Sequence, residues 1–381
     1  MNPVGTPRRT SRSTFIPRNA GFQTCCVADF QIGWSSQPRQ CRNSSTCVGV
    51  CPDESGRCAN LLGQRWRRLV ALAGFLGLSW NAALPAESSA IDWIRVTDHA
   101  AFSPRDTAEG FVFGDKLWLS NGYISGSTLA RDLWNSTDGV SWNLVTNNAP
   151  YDGYAEMTVY ADKIWAVKQG VWNSMDGTNW QQVAEKTPFG IRGYGELLVH
   201  RGRLWQLGSG EDVWSTTNGV TWNCVAAHAP YGPRFASAAV EFKGKLWVMG
   251  GAVEKTNTPP EKVYPQFSTY NDVWGSADGA DWTRVVHHAP WAPRMWFVPI
   301  VYAGRLWIIG GFDNVHRANF DDVWWTDDGL QWRRLDTKTK FSPRHEVTAY
   351  VYGNSLWVVA GNSWPLMNDV WRLILSRDRR L

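Results

Sequence analysis

Six short apolar runs built on Leu-Trp or Ile-Trp recur along the chain, each behind a turn rich in Gly, Asp or Asn: GDKLWLSNG (114–122), ADKIWAV (161–167), RGRLWQLG (201–208), GKLWVMGG (244–251), GRLWIIGG (304–311) and NSLWVVAG (354–361). They lie 40 to 60 residues apart. A second phrase follows five of them: RDLWNSTDGVSW (131–142), GVWNSMDGTNW (170–180), DVWSTTNGVTW (212–222), NDVWGSADGADW (271–282) and DDVWWTDDGLQW (321–332). Apolar stretches this short, bounded by turn residues, predict strands. Self-similarity at this period predicts a ring or stack of equivalent units.

Each unit reads as four strands, a to d. An apolar stretch such as FASAAVEF or VTAYVY forms strand a, the Leu-Trp run strand b, the Asp-Val-Trp run strand c, and strand d begins at the last Trp of the second phrase. The sixth unit, ending in NDVWRLIL (368–375), lacks a strand d, while IDWIRV (91–96) near the other end has the sequence of one. The expected fold is therefore all-β: a six-bladed propeller over residues 90–377, closed by the N-terminal strand completing the last blade, which protects the sheet edges. Strands b, c and d then account for eighteen of the 25 Trp. A broad indole suits the contact between blades because its N–H can still reach a carbonyl.

The Gly-Gly after strand b, the Trp of strand d and the Pro-Arg before strand a make the repeat resemble the kelch-type β-propellers, including the central domain of the galactose oxidase family. The resemblance implies a binding module, or an enzyme such as the sialic-acid mutarotases, exported six-bladed propellers that use acid and base side chains without a metal. Copper oxidase chemistry is not implied, since the only Cys beyond residue 58 is Cys224. That residue sits at an edge-strand position and is expected to be an inert thiol. The c–d turns also resemble the Asp-box of sialidases, itself a structural turn.

Charge changes the picture only when the chain is divided. Residues 1–86 carry ten Arg, no Lys and three acidic residues, so the overall +4 becomes −3 once that +7 is set aside. A mildly acidic folded part gives no reason to expect a nucleic-acid partner. Arg65, Arg67 and Arg68, then Leu69 to Trp80, then NAALPAES have the order of an export signal over residues 61–86, with an apolar run too short to span a bilayer. Residues 1–60 are Arg-rich, Lys-free and scattered with Cys, and are expected to be a non-translated or disordered leader. The protein is then periplasmic or extracellular, with no membrane span after signal removal.

In an up-and-down blade, the a–b and c–d turns share one side of the disc, and the b–c loops share the other with the d–a crossovers. The second side is irregular, with b–c loops running from Lys168–Gly170 to the nineteen residues from Ala252 to Tyr270. Loops of that length are more often functional than idle. Arg105, Arg192, Arg234, Arg294 and Arg344 enter this face ahead of strand a. Blade 2 lacks the arginine, with Tyr154 read in its place, and also lacks the Asp that opens strand c elsewhere (Asp132, Asp212, Asp272, Asp322, Asp369). The joint loss predicts structural Arg–Asp pairs. His99, His228 and His288 recur at one repeat position and are expected to cap turns.

Residues that break the repeat are the better guide to a ligand. Trp296 stands where other blades have Thr107, Glu156, Tyr194, Ala236 and Glu346, and Trp364 lies in the b–c loop of blade 6. These two indoles with Glu346, Glu156, Tyr194, Asp313 and Asn362 form the expected site for a glycan or an extracytoplasmic protein. Arg344 and Glu346 are the candidates for acid–base chemistry if there is any. The sequence suggests no metal and no cofactor.

Overall fold

The structure, a computed structural model, describes residues 91–126, 128–255 and 267–374. The segments expected to be a leader (1–60) and an export signal (61–86) and the middle of the long blade 4 loop lie outside the described residues. Within them the chain is all-β: six four-stranded antiparallel sheets form a six-bladed propeller, and none of the described residues is helical. No helix among them is long and apolar enough to cross a membrane.

Blade 1 runs Glu109–Phe113, Lys116–Ser120, Leu133–Ser136 and Asn143–Thr146 as strands a to d. Strand a of the next four blades is Glu156–Tyr160, Glu196–His200, Ala238–Phe242 and Val298–Tyr302. Blade 6 contains Thr348–Tyr352, Ser355–Val359 and Val370–Ile374, and its outer strand is Asp92–Thr97, with Trp93 opposite Leu373 and Arg95 opposite Trp371. Each strand a packs against strand a of the following blade, and that of blade 6 packs against that of blade 1. Small two-stranded ribbons occupy the b–c loops of blades 1, 4 and 5.

The repeated phrase is explained by what its atoms must satisfy. In the c–d turn of blade 1 the Ser136 hydroxyl accepts the N–H groups of Asp138 and Gly139, while Asp138 Oδ1 accepts those of Val140 and Ser141. Gly139 has φ 73°, which a glycine adopts without strain. It is excluded from being anything else by packing as well: a Cβ there would lie 2.5 Å from the ring of Trp357 in blade 6, and one at Gly177 would lie 2.6 Å from Trp118 in blade 1. The turn of one blade thus covers the strand-b indole of the blade before it. Most of these indole N–H groups are satisfied in register. Strand-b Trp donates five residues back, as Trp118 does to the Phe113 carbonyl, and in blades 1 to 4 strand-d Trp donates to the turn glycine, as Trp142 does to Gly139. The Trp332 indole N–H of blade 5 is buried without a partner.

The five arginines pair with the five aspartates as expected. Arg294 Nη1 and Nη2 lie 2.6 and 2.9 Å from the two carboxylate oxygens of Asp322. Nη1 also donates to the Gly310 carbonyl that ends strand b, and Nε to the Ala292 carbonyl in the crossover. Asp322 in turn accepts the Trp324 indole N–H at 2.8 Å. Burial alone would raise the Asp322 carboxyl, but the Arg294 bonds and charge outweigh it and hold the group below its usual range. The same arrangement joins Arg105 to Asp132, Arg192 to Asp212, Arg234 to Asp272 and Arg344 to Asp369. His99, His228 and His288 bond Asn368, Glu211 and Asn271, the residues just ahead of strand c or its aspartate, consistent with capping. Cys224 is disulfide-bonded, not the inert free thiol expected, although the described residues contain no other cysteine.

Removing one partner of a buried pair strands the other charge, at a cost of about 3–5 kcal/mol. Arg294→Ala should lose stability on that scale. Arg192→Ala should lose less, because the Arg192 side chain is 15% exposed and that of Arg294 is not exposed. Urea unfolding of the two variants checks this, and equal losses would remove burial as the source.

Candidate functional site

Each pinned arginine sets the position of the residues after it. Two residues on, the backbone turns left-handed in every blade: Thr107, Tyr154, Tyr194, Ala236, Trp296 and Glu346 all have φ between 51° and 61°. None is a glycine, so each carries a strain of about 1–2 kcal/mol. In three of them the N–H is put to use around the ring. Trp296 donates to the Ala236 carbonyl, Glu346 to that of Trp296, and Thr107 to that of Glu346, at 2.9 to 3.2 Å. Six blades therefore present one side chain each around the axis, at the mouth on the crossover side.

Those side chains meet. The Tyr154 and Tyr194 rings are 6.1 Å apart, and Tyr194 lies 5.9 Å from Trp296 across the gap left by the small Ala236. Trp296 stacks on His345 at 5.3 Å, and the exposed Trp364 meets the same imidazole edge-on. Burial pushes both tyrosine hydroxyls well up, and the carboxyl of Glu346 adds to it. Glu346 and Asp106 are themselves close neighbours. Burial, then the charge of Asp106, holds Glu346 well above the carboxylate range, and burial lifts Asp106 to about 6.

Below the mouth, the first residues of strand a in blades 1, 2 and 3 are Glu109, Glu156 and Glu196. Burial drives all three upward, Glu109 to about 8 and Glu156 to about 7, and the Glu109 and Glu196 carboxyls are raised further by neighbouring glutamates. Glu156 accepts a bond from the Gln206 amide. Lys168 donates to the Gly153 and Tyr154 carbonyls and lies 5.0 Å from the Tyr154 ring, so its ammonium supports the crossover of blade 2.

The expected site residues divide accordingly. Trp296, Tyr194 and Glu346 come together at the mouth, with Trp364 against His345. Asn362 supports them by donating to Asp106 Oδ2 at 2.9 Å. Glu156 is not at the mouth but two residues deeper. The blade 2 residue in the mouth ring is Tyr154, and the position of the arginine is held by Asp152. Counting back from strand b corrects the register, because the ring residue stands eleven positions before the strand-b Trp in every blade. Asp313 is used by its own loop, where it accepts the Val315 and His316 N–H groups and contacts the His316 ring. Arg344 is withdrawn as an acid–base candidate: its guanidinium is fully buried and committed to Asp369, Ser342 and the Ala360 carbonyl. Asp106, His345, Thr107, Glu109 and Glu196 are the residues that sequence reasoning missed. Asp106 and His345 occupy the position directly after the arginine, where blades 3, 4 and 5 have Gly193, Phe235 and Met295, so aligning on the arginine exposes them.

Among solved structures the fold is shared with the one titled "Structure of YjhT", at 12% identity and a TM-score of 0.55, covering 74% of this chain and 97% of that one. A likeness of that degree speaks for the fold alone. Comparison with curated proteins finds no match. Residues 88–377 match the family described as "DUF6242 beta propeller domain", and the chain belongs to that family.

Proposed function

We propose that the protein is a binding module that takes a neutral glycan at the axial mouth, on the face of the crossovers and b–c loops. The observation that carries this reading is the arc of Tyr154, Tyr194 and Trp296 set beside the carboxyls of Glu346 and Asp106. Sugar rings offer apolar C–H faces that stack on phenol and indole, and hydroxyls that bond carboxyl groups. The kelch-type character of the repeat and export through residues 61–86 belong to the same proposal. Their support is the Gly-Gly and Pro-Arg pattern and the basic, apolar, small-residue order of that segment.

Charge favours a neutral ligand over an acidic one. Five carboxyl groups line the axis, and the arginines that could have held an anion are each bound to an aspartate. A sialic acid, the substrate of the alternative isomerase reading, would have to strip water from its carboxylate where each of the five arginines is already paired with an aspartate.

In calorimetric titration with neutral oligosaccharides, Trp296→Ala and Tyr194→Ala should each weaken binding by about tenfold, or ~1.4 kcal/mol. Met175→Ala, exposed on a c–d turn of the opposite side, should leave it unchanged. Retained affinity in both mouth variants, or preference for sialylated sugars, defeats the reading. The buried axis makes a second, independent expectation. Glu109 is raised from 4.5 to about 8, so the folded state holds a proton that the unfolded chain releases. Stability from that proton is complete below pH 4.5 and declines as pH rises towards 8. Glu109→Gln should flatten this decline. Unfolding midpoints at pH 5 and pH 8.5 measure it, and equal slopes in the two proteins would show that the carboxyl is not held neutral.

A further inference from the structure

We infer that Asp106, His345 and Glu346 form a binding site for a divalent first-row transition-metal ion in the wall of the axial mouth. One ligand atom from each residue lies within 4.8 Å of the others. His345 Nε2 and Glu346 Oε2 are 3.9 Å apart, which is too long for a hydrogen bond. Metal bonds of about 2.0–2.2 Å set two donors roughly 3–4 Å apart, so the three groups need only small side-chain rotations to close on an ion.

The surroundings prepare each donor. Asn319 donates its amide to the Asn362 and Pro343 carbonyls at 2.9 and 3.4 Å, which orients its oxygen towards His345 Nδ1 at 2.6 Å. That oxygen can only accept. The imidazole proton therefore sits on Nδ1, and Nε2 carries the lone pair a metal requires, oriented as ligating histidines are by a second hydrogen bond. Asn362 holds Asp106 through Oδ2. Glu346 supplies the independent sign of a ligand: its side chain is 9% exposed, and its Oε1 is buried without any hydrogen-bond partner. Buried polar atoms are nearly always satisfied, and a cation satisfies a carboxyl oxygen.

The donor set indicates the class of ion. One imidazole nitrogen with two carboxylates suits manganese, iron or zinc better than the all-oxygen shells of calcium and magnesium. Three protein donors leave coordination positions for water or ligand hydroxyls. The repeat shows that the set is local, since the position after the arginine is Asp106 and His345 only in the adjoining blades 1 and 6, and Gly193, Phe235 and Met295 elsewhere. The inference goes beyond the glycan reading and stands without it, because its test contains no sugar.

The test titrates chelator-treated full-length protein with Mn²⁺ alone, following free ion by electron paramagnetic resonance. Mn²⁺ is chosen because thiolates are poor ligands for it, so the chain's cysteines do not compete. The expected result is saturable uptake of one ion per chain, with nitrogen coupling in the spin-echo modulation of the bound ion. Asp106→Asn and Glu346→Gln, which preserve shape, should each weaken uptake at least tenfold while near-ultraviolet circular dichroism remains native. Asn319→Ala, acting through the orientation of the imidazole, should weaken it by about tenfold. No saturable uptake by the wild type, bound ion without nitrogen coupling, or unchanged uptake in the two folded carboxylate variants would each overturn the assignment. Wild-type uptake and spectrum decide the matter even if a variant fails to fold.

Discussion

The buried arginine ahead of strand a is the constraint from which the rest of the face follows. An unpaired guanidinium in a protein interior is prohibitively costly, so its donors have to be spent. In Arg105, Arg294 and Arg344 they are spent on an aspartate at the start of strand c, a carbonyl at the end of strand b and a carbonyl in the crossover itself. One side chain thereby fixes three segments of its own blade. The arginine's carbonyl reaches across the boundary: Gly251 donates to that of Arg294, Gly311 to that of Arg344 and Gly361 to that of Arg105. These glycines have φ between 83° and 109°, so the pair after strand b serves the junction between blades.

A crossover fixed in this way can hold the next residues in a conformation they would not choose. The left-handed residue two positions later is strained in isolation, yet it recurs in all six blades, and in blades 1, 5 and 6 its N–H is also held by the carbonyl of the neighbouring ring residue. Its side chain varies freely: threonine, two tyrosines, alanine, tryptophan and glutamate. Architecture and chemistry are thus separated by two residues. Blade 2 reaches the same left-handed residue with the charges reversed, since Asp152 holds the arginine's position and Lys168 from the end of strand b supports the crossover carbonyls.

This separation explains what could be read from the sequence. Strands, turns and the role of Asp-Gly were legible because each is repeated, and repetition turns a weak local signal into a strong one. The Arg–Asp pairing was legible from the one blade that lacks both. Trp296 was found as a departure from the repeat, and Tyr194 and Glu346 as occupants of the same position in other blades. The register of blade 2 failed because the arginine used for alignment is absent there, although the distance to Trp165 retains it. Asp106 and His345 share a repeat position that alignment on the arginine exposes, but that they act together was not legible from it: they are neighbours only because blade 6 lies beside blade 1, and no local pattern links positions so far apart along the chain.

The mouth is asymmetric, and the asymmetry has a physical logic. Blades 4, 5, 6 and 1 are joined residue to residue by backbone hydrogen bonds through Ala236, Trp296, Glu346 and Thr107, and this is the arc that holds His345 and Asp106. Donors that must converge within a few tenths of an ångström benefit from a backbone that cannot yield. Blades 2 and 3 contribute broad aromatic rings, Tyr154 and Tyr194, over the paired glutamates Glu156 and Glu196. Stacking tolerates small displacements that coordination does not. A rigid polar wall facing an adaptable aromatic one is what a polyhydroxylated ligand would need, with its hydroxyl edge placed by the first and its apolar face covered by the second.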